Sequence, residues 1–155
     1  MNIKIRNAEK KDVPVILDLI KELARYEKAP NEVTNTVEAL EQDGFSDNPL
    51  YYVILAENET EVTGMSFYFI SYSTWKGKSI YLEDIIVREK YRGKGIGKLL
   101  FEETMQRAKE FGAKRMHWQV LDWNEPAINF YKKYNAILDG EWINCRFTEE
   151  QIKDF

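Results

Sequence analysis

The chain has 155 residues, 22 basic and 26 acidic side chains, a formal net charge of −4, and 44% hydrophobic against 31% charged residues. This is one domain's worth of ordinary globular sequence, so a single domain over residues 1–155 is expected. No basic patch dominates, which argues against general nucleic-acid binding, and no apolar run approaches the roughly 20 residues that cross a bilayer. The opening "MNIKIRNAEKKD" lacks the apolar core of a signal peptide, and one cysteine, Cys145, rules out an internal disulfide. A cytoplasmic, reducing setting without membrane association is therefore expected.

"NIKIR" alternates Ile3 and Ile5 with polar neighbours and reads as a first strand. Asp12 is placed to N-cap a helix with Pro14 in its first turn and a stripe of Val15/Ile16, Leu19/Ile20 and Leu23 reaching Tyr26. A second short helix is predicted over Val37 to Asp43, stopped by Gly44. "YYVILAE" (Tyr51–Glu57) and "EVTGMSFYFISYS" (Glu61–Ser73) are β-rich runs joined by "NET", hence a hairpin. "IYLEDIIV" (Ile80–Val87) is a further strand. The glycine-rich "YRGKGIG" then leads into a helix with Ile96, Leu100, Thr104, Ala108 and Phe111 on its inner stripe, ended by Gly112. "RMHWQVL" reads as a strand, and "DWNEPAINFYKKY" as a helix with Asn124 as N-cap and Pro126 in the first turn. "EWINCRF" is a last strand with Ile143, Cys145 and Phe147 on one face, which makes Cys145 a buried strand residue. The order is βααβββαβαβ, an α/β fold with a mixed central sheet flanked by helices.

Strand, glycine loop and helix together aim unpaired backbone N–H groups at an anion, and the helix dipole adds to the attraction. Two phosphate-loop patterns fail here. The P-loop would need glycine where Arg92 stands and Ser or Thr where Leu99 stands; the dinucleotide fingerprint would need glycine at Lys98. What fits is R-x-x-G-x-G: Arg92, Gly95 and Gly97. This resembles the pyrophosphate-binding signature of the GNAT superfamily of N-acetyltransferases, whose acetyl donor is acetyl-CoA, and the element order resembles that fold. The resemblance implies that Arg92, Gly93, Lys94, Gly95, Ile96, Gly97 and Lys98 hold the diphosphate, and that Ile85, Ile86 and Val87 pair their backbone with the pantetheine arm.

"DWNEPAINFYKKYNA" is similar to the superfamily's later motif. By that likeness Asn124, Glu125, Pro126 and Ala127 touch the cofactor, and Tyr131 lies near the thioester sulfur as the acid for the departing thiolate. Seven residues separate Asn124 and Tyr131, about two turns at ~3.6 residues each, so one helix face can carry both. A protonated amine, pKa ~10, cannot attack a thioester until its proton leaves; the developing oxyanion needs a backbone donor. Glu83 is the candidate for amine binding and proton removal, directly or through water, with Asp84 its neighbour on the opposite face of the strand. Two acids in a strand interior are unfavourable and call for a reason.

"LIKELARYEK", "DGFSDNPLYY", "YLEDIIVREKYRGKGIG" and "WNEPAINFYKK" together resemble the diamine (spermidine/spermine) acetyltransferase family over nearly the full length. The resemblance implies that Tyr26, Glu27, Glu83, His117, Trp118 and Gln119 bind the amine, and that the protein is a homodimer whose sites draw on both subunits. Polyamine enzymes place an acidic residue where this chain has Ser73; "STWKG" with "VLDWN" instead looks like the branch that acetylates thialysine and related lysine analogues. Loss of that carboxylate weakens the hold on a second ammonium by on the order of 1 kcal/mol, so polyamine and thialysine-like substrates both stay open. Tyr134-Asn135 replaces the family's arginine-glycine before Ala136, and Asn tolerates the left-handed backbone such a turn needs. His117 is expected to line the substrate rather than act as base, and no metal-ligand spacing is present. The alternatives are a protein lysine or N-terminal acetyltransferase and a non-catalytic acetyl-CoA sensor; the retained Tyr131 and Glu83 speak against the sensor.

Overall fold

Alternating and continuous apolar runs become one mixed sheet in the computed structural model, which describes residues 1–155. The residues form two compact units, Met1–Gln119 and Val120–Phe155. In the first, β1 (Lys4–Asn7), β2 (Tyr52–Glu57), β3 (Val62–Ser73), β4 (Gly77–Val87) and β5 (Arg115–His117) lie side by side in chain order. Neighbours are antiparallel except β4 and β5, which are parallel. A parallel pair needs a crossover, supplied here by α3 (Ile96–Phe111); α1 (Val13–Tyr26) and α2 (Val37–Gly44) precede β2.

The two sheet faces are covered by different helices. Val13, Ile16, Leu17 and Leu19 of α1 pack with Val53, Leu55, Met65 and Ile86 on one face, whereas Ile96 and Leu100 of α3 pack with Ile54 and Ala56 on the other. Burial from both sides explains why β2 reads as an unbroken apolar run instead of alternating. Within α3, buried Thr104 donates to the Leu100 carbonyl (2.8 Å) and shares a 2.6 Å hydrogen bond with Ser66 of β3. Asp12 does sit at the α1 N-cap, but its side chain makes no cap bond; the carboxylate instead accepts from Arg6 at 2.7 and 3.0 Å and from the Glu9 amide at 2.7 Å. Two bonds to a guanidinium and one to an amide occupy the carboxylate in place of a cap.

The strand predicted over "RMHWQVL" stops at His117, so Trp118 and Gln119 lie beyond β5. Trp118 packs edge-on against Phe101 of α3, centroids 5.6 Å apart. The β3–β4 hairpin is tighter than expected: Ser73 pairs with Gly77, and the buried Ser73 hydroxyl accepts the Lys76 amide at 3.2 Å.

In the second unit, α4 spans Glu125–Lys132 and α5 spans Glu149–Lys153. The Asn124 side chain caps α4 by accepting from the Ala127 amide at 3.4 Å, and Asn135 holds φ +57°, as the turn requires. The last predicted strand is not formed. Residues 141–147 form neither strand nor helix, with Trp142, Ile143 and Phe147 exposed, and Cys145 is exposed rather than buried. Alternation selects a face, but a strand also needs a neighbouring strand to complete its ladder, and no ladder includes these residues.

Candidate active site

The glycine loop sits where the sequence places it, between β4 and α3. Gly93 (φ +75°) and Gly95 (φ +82°) are both left-handed, and a Cβ built at either meets nothing within 4 Å. The loop therefore needs glycine for its backbone path, and the space over it is open. Gly95 is the N-cap of α3, so the amides of the first turn, Ile96, Gly97 and Lys98, have no intrahelical acceptors. Arg92 donates through Nε to the Val87 carbonyl at 3.0 Å, and its guanidinium lies 4.8 Å from the Tyr26 ring centroid. Tyr91 anchors the approach by donating to Glu61 (2.8 Å) and accepting from Asn58 (3.1 Å). An open, cation-flanked loop of free amides suits a diphosphate.

The β4–β5 ladder ends at Tyr81 and His117, so the stretch 82–87 is laddered only to β3. Ile85, Ile86 and Val87 thus present one side of their backbone without a strand neighbour, the condition for an extended chain to add there.

Glu83 and Asp84 do not stand on opposite faces in simple alternation. Phe67 pairs with Asp84 while the next β3 residue, Tyr68, pairs with Leu82, so Glu83 is the extra residue of a β-bulge. The bulge restores Tyr81 and Asp84 to one face: Tyr81 stacks on Phe69 (5.0 Å) and Asp84 lies opposite Phe67. Glu83 keeps solvent contact, and partial burial raises its carboxyl above the usual range. Asp84 is pushed up to about 7 by burial, then by the charges of Glu83 and Glu27. Burial also raises Glu27. Asp84, whose ionisation is disfavoured by burial and by the charges of Glu83 and Glu27, marks a site that gains from an added cation.

Tyr26 and Glu27 close α1, whose last turn is finished by Lys28 at φ +63°. His117 stands edge-on to Tyr81 at 4.7 Å, and its Nε2 shares a 3.1 Å hydrogen bond with the Ser71 hydroxyl. Burial and the Arg115 charge lower its pKa. The structure thus gathers Tyr26, Glu27, Glu83, Asp84 and His117 in the first unit. Asn124 and Tyr131 share α4 of the second, where Tyr131 is buried and T-stacked with Phe130 at 5.5 Å. Tyr81, Phe69 and Ser71 were not singled out from sequence. A β-bulge, invisible in residue spacing, brings Asp84 to the face of Tyr81. No group of three or more His, Cys, Asp or Glu is placed to hold a metal, and no helix is long and apolar enough to cross a membrane.

Residues 16–136 match the Acetyltransferase (GNAT) family. The chain belongs to that family. Among relatives of this GNAT protein is the thialysine N-epsilon-acetyltransferase of Bos taurus, 40% identical over 163 aligned positions that cover 98% of this chain and 96% of that one. The spermidine/spermine N(1)-acetyltransferase-like protein 1 of Homo sapiens is 38% identical across 97% of this chain, which spans 23% of that longer protein. In three dimensions the GNAT chain resembles an integron cassette protein from the mobile metagenome of V. cholerae, with a TM-score of 0.80 and 26% identity over 99% of this chain and 97% of that one. The mixed sheet flanked by helices is the fold shared with that structure, and the open loop before α3 is therefore read as part of a GNAT acetyltransferase.

Proposed function

We propose that the chain transfers acetyl from acetyl-CoA to a small primary amine by direct attack in a ternary complex, with residues 1–155 acting as one acetyltransferase domain. The observation that carries this reading is the carboxylate trio Glu27, Glu83 and Asp84, beside a glycine loop tied to α1 by the Arg92–Tyr26 contact. Arg92 and the amides of Gly93 through Lys98 hold the diphosphate, and Lys94 adds positive charge. Ile85 to Val87 pair with the pantetheine, and Asn124 to Ala127 complete its contacts. Acetyl-CoA supplies the acetyl thioester. Glu83, or a water bound to it, takes the proton from the ammonium so that the nitrogen lone pair is free; Tyr131 gives a proton to the sulfur as the carbon–sulfur bond breaks. Tyr26, Glu27, Asp84, His117, Trp118 and Gln119 form the amine site.

A compact acidic site with aromatic walls suits a polyamine or a lysine-like amine better than a protein chain, which calls for a wide groove. The names of the relatives, thialysine and spermidine/spermine acetyltransferases, support the same class. A homodimer would cover the exposed Ile137, Trp142, Ile143 and Phe147. A thiol-release assay with acetyl-CoA and spermidine, spermine, putrescine, thialysine, lysine and a lysine peptide tests the reading. Amine-dependent turnover ranked by kcat/KM supports it. Tight acetyl-CoA binding with no turnover favours a sensor instead, and turnover of the peptide alone favours a protein acetyltransferase.

A further inference from the structure

The register across β3, β4 and β5 lays out a graded surface on the sheet face shared with α1. Phe67 and Asp84 form one row; Phe69, Tyr81 and His117 form the next; Ser71, Ser79 and Arg115 form the third. One end is acidic, through Asp84 and the charges of Glu83 and Glu27 that act on it. The middle is an aromatic floor, with Tyr81 stacked on Phe69 and edge-on to His117. The far end is cationic. Arg115 and His117 are two residues apart on β5 and so point to the same face, while Arg6, Arg88 and Arg107 are each committed to a carboxylate. Arg115 is exposed, and after burial its charge is the second cause that lowers the His117 imidazole, which places the two groups in electrostatic reach.

We propose that Arg115 is a specificity-determining residue, receiving with His117 and Ser71 the α-carboxylate of an amino acid whose side-chain amine is acetylated at the Asp84 end. This rests on the acetyltransferase reading above and names its substrate class: an α-amino acid with a terminal amine rather than a polyamine. From Phe67 to Ser71 the backbone runs about 13 Å at ~3.3 Å per residue, and the side chains of Asp84 and Arg115 shorten that gap from both ends. The aromatic floor between them suits an alkyl or thioether chain, since a thioether sulfur packs favourably against aromatic rings. A guanidinium pairs with a carboxylate through two parallel hydrogen bonds and repels an ammonium. The same group therefore favours an amino acid and disfavours a polyamine. Ser73, buried in the hairpin turn and neutral, brings no second anion to that end.

Matched substrate pairs that differ only in the carboxylate test this: thialysine against bis(2-aminoethyl) sulfide, and lysine against cadaverine. For the wild-type protein the carboxylate-bearing member is expected to lead in kcat/KM by about tenfold or more. In Arg115→Gln the ratio falls close to one, with the change carried mainly by KM, and Arg115→Lys restores part of it. A merely structural role would lower both members together and leave the ratio alone. Equal use of both members by the wild-type protein, or an unchanged ratio in Arg115→Gln, overturns the proposal while the acetyltransferase reading stands. No turnover with any amine overturns that reading and this one with it.

Discussion

The Arg92 guanidinium rests on the face of Tyr26, 4.8 Å from the ring centroid, while its Nε holds the Val87 carbonyl. One side chain therefore ties the glycine loop to the turn of α1 that carries Glu27. A cation–π contact at a partly exposed site is worth about 0.5–1 kcal/mol. Tyr26→Leu is expected to raise KM for acetyl-CoA and for the amine together, each by roughly two- to fivefold, with kcat little changed. Steady-state kinetics with both substrates varied reads this; a rise in amine KM alone would show that the stack does not link the two sites.

Asp84 gives a pH dependence with a definite sign. Its carboxyl is held near 7 against an ordinary value near 4. A raised folded-state pKa makes a contribution to stability that is full below the unfolded value and is lost as pH rises through about 7. Asp84→Asn removes that loss. The variant should be more stable than wild type at pH 8, by on the order of 1–3 kcal/mol and with a higher melting temperature, and match it near pH 4. Thermal unfolding at the two pH values checks this. In the wild-type protein, amine affinity should fall as pH drops below about 7 and the site takes up a proton.

Much of the fold was legible because local signals and packing agree. The stripe Ile96, Leu100, Thr104, Ala108 is the buried stripe of α3, and Gly112 closes that helix at φ +71°. The glycine loop was legible for the same reason: glycine reaches φ +75° at Gly93 and +82° at Gly95 at small cost. Glu83 and Asp84 stood out as acids in a strand. Their true relation did not, because a bulge adds one residue without altering composition, and the expected alternation placed Asp84 on the wrong side. The "EWINCRF" segment misled for a different reason. Its alternation of Ile143, Cys145 and Phe147 is real, yet alternation says nothing of whether a neighbouring strand exists to pair with. Nothing in the sequence separates Tyr81 from a core aromatic in a strand.

The left-handed residues offer a direct test of backbone strain. Lys28 ends α1 at φ +63°, a position that glycine fills without a Cβ penalty. Lys28→Gly should stabilise the protein by about 0.5–1 kcal/mol in urea unfolding. Gly95→Ala should do the reverse. The space beside Gly95 is open, so alanine meets no neighbour and its cost is the left-handed backbone, about 1–2 kcal/mol. The added methyl also enters the space over the loop, and acetyl-CoA affinity should fall by tenfold or so.

The role of Tyr131 is separable from binding. Tyr131→Phe keeps the ring, and its packing against Phe130, while removing the hydroxyl. Acetyl-CoA affinity by calorimetry should remain within a few-fold of wild type, and kcat should drop by roughly 10²-fold or more. Unchanged turnover would take the phenol out of the proton transfer.

The backbone amides of residues 93–98 are expected to grip the diphosphate of acetyl-CoA. A crystal structure of the protein grown with coenzyme A tests it most directly. Diphosphate oxygens are expected within hydrogen-bonding distance, about 2.7–3.2 Å, of several of these amides, with the pantetheine arm lying along Ile85 to Val87. A nucleotide bound elsewhere, or a loop folded over with its amides turned to other protein groups, would contradict it.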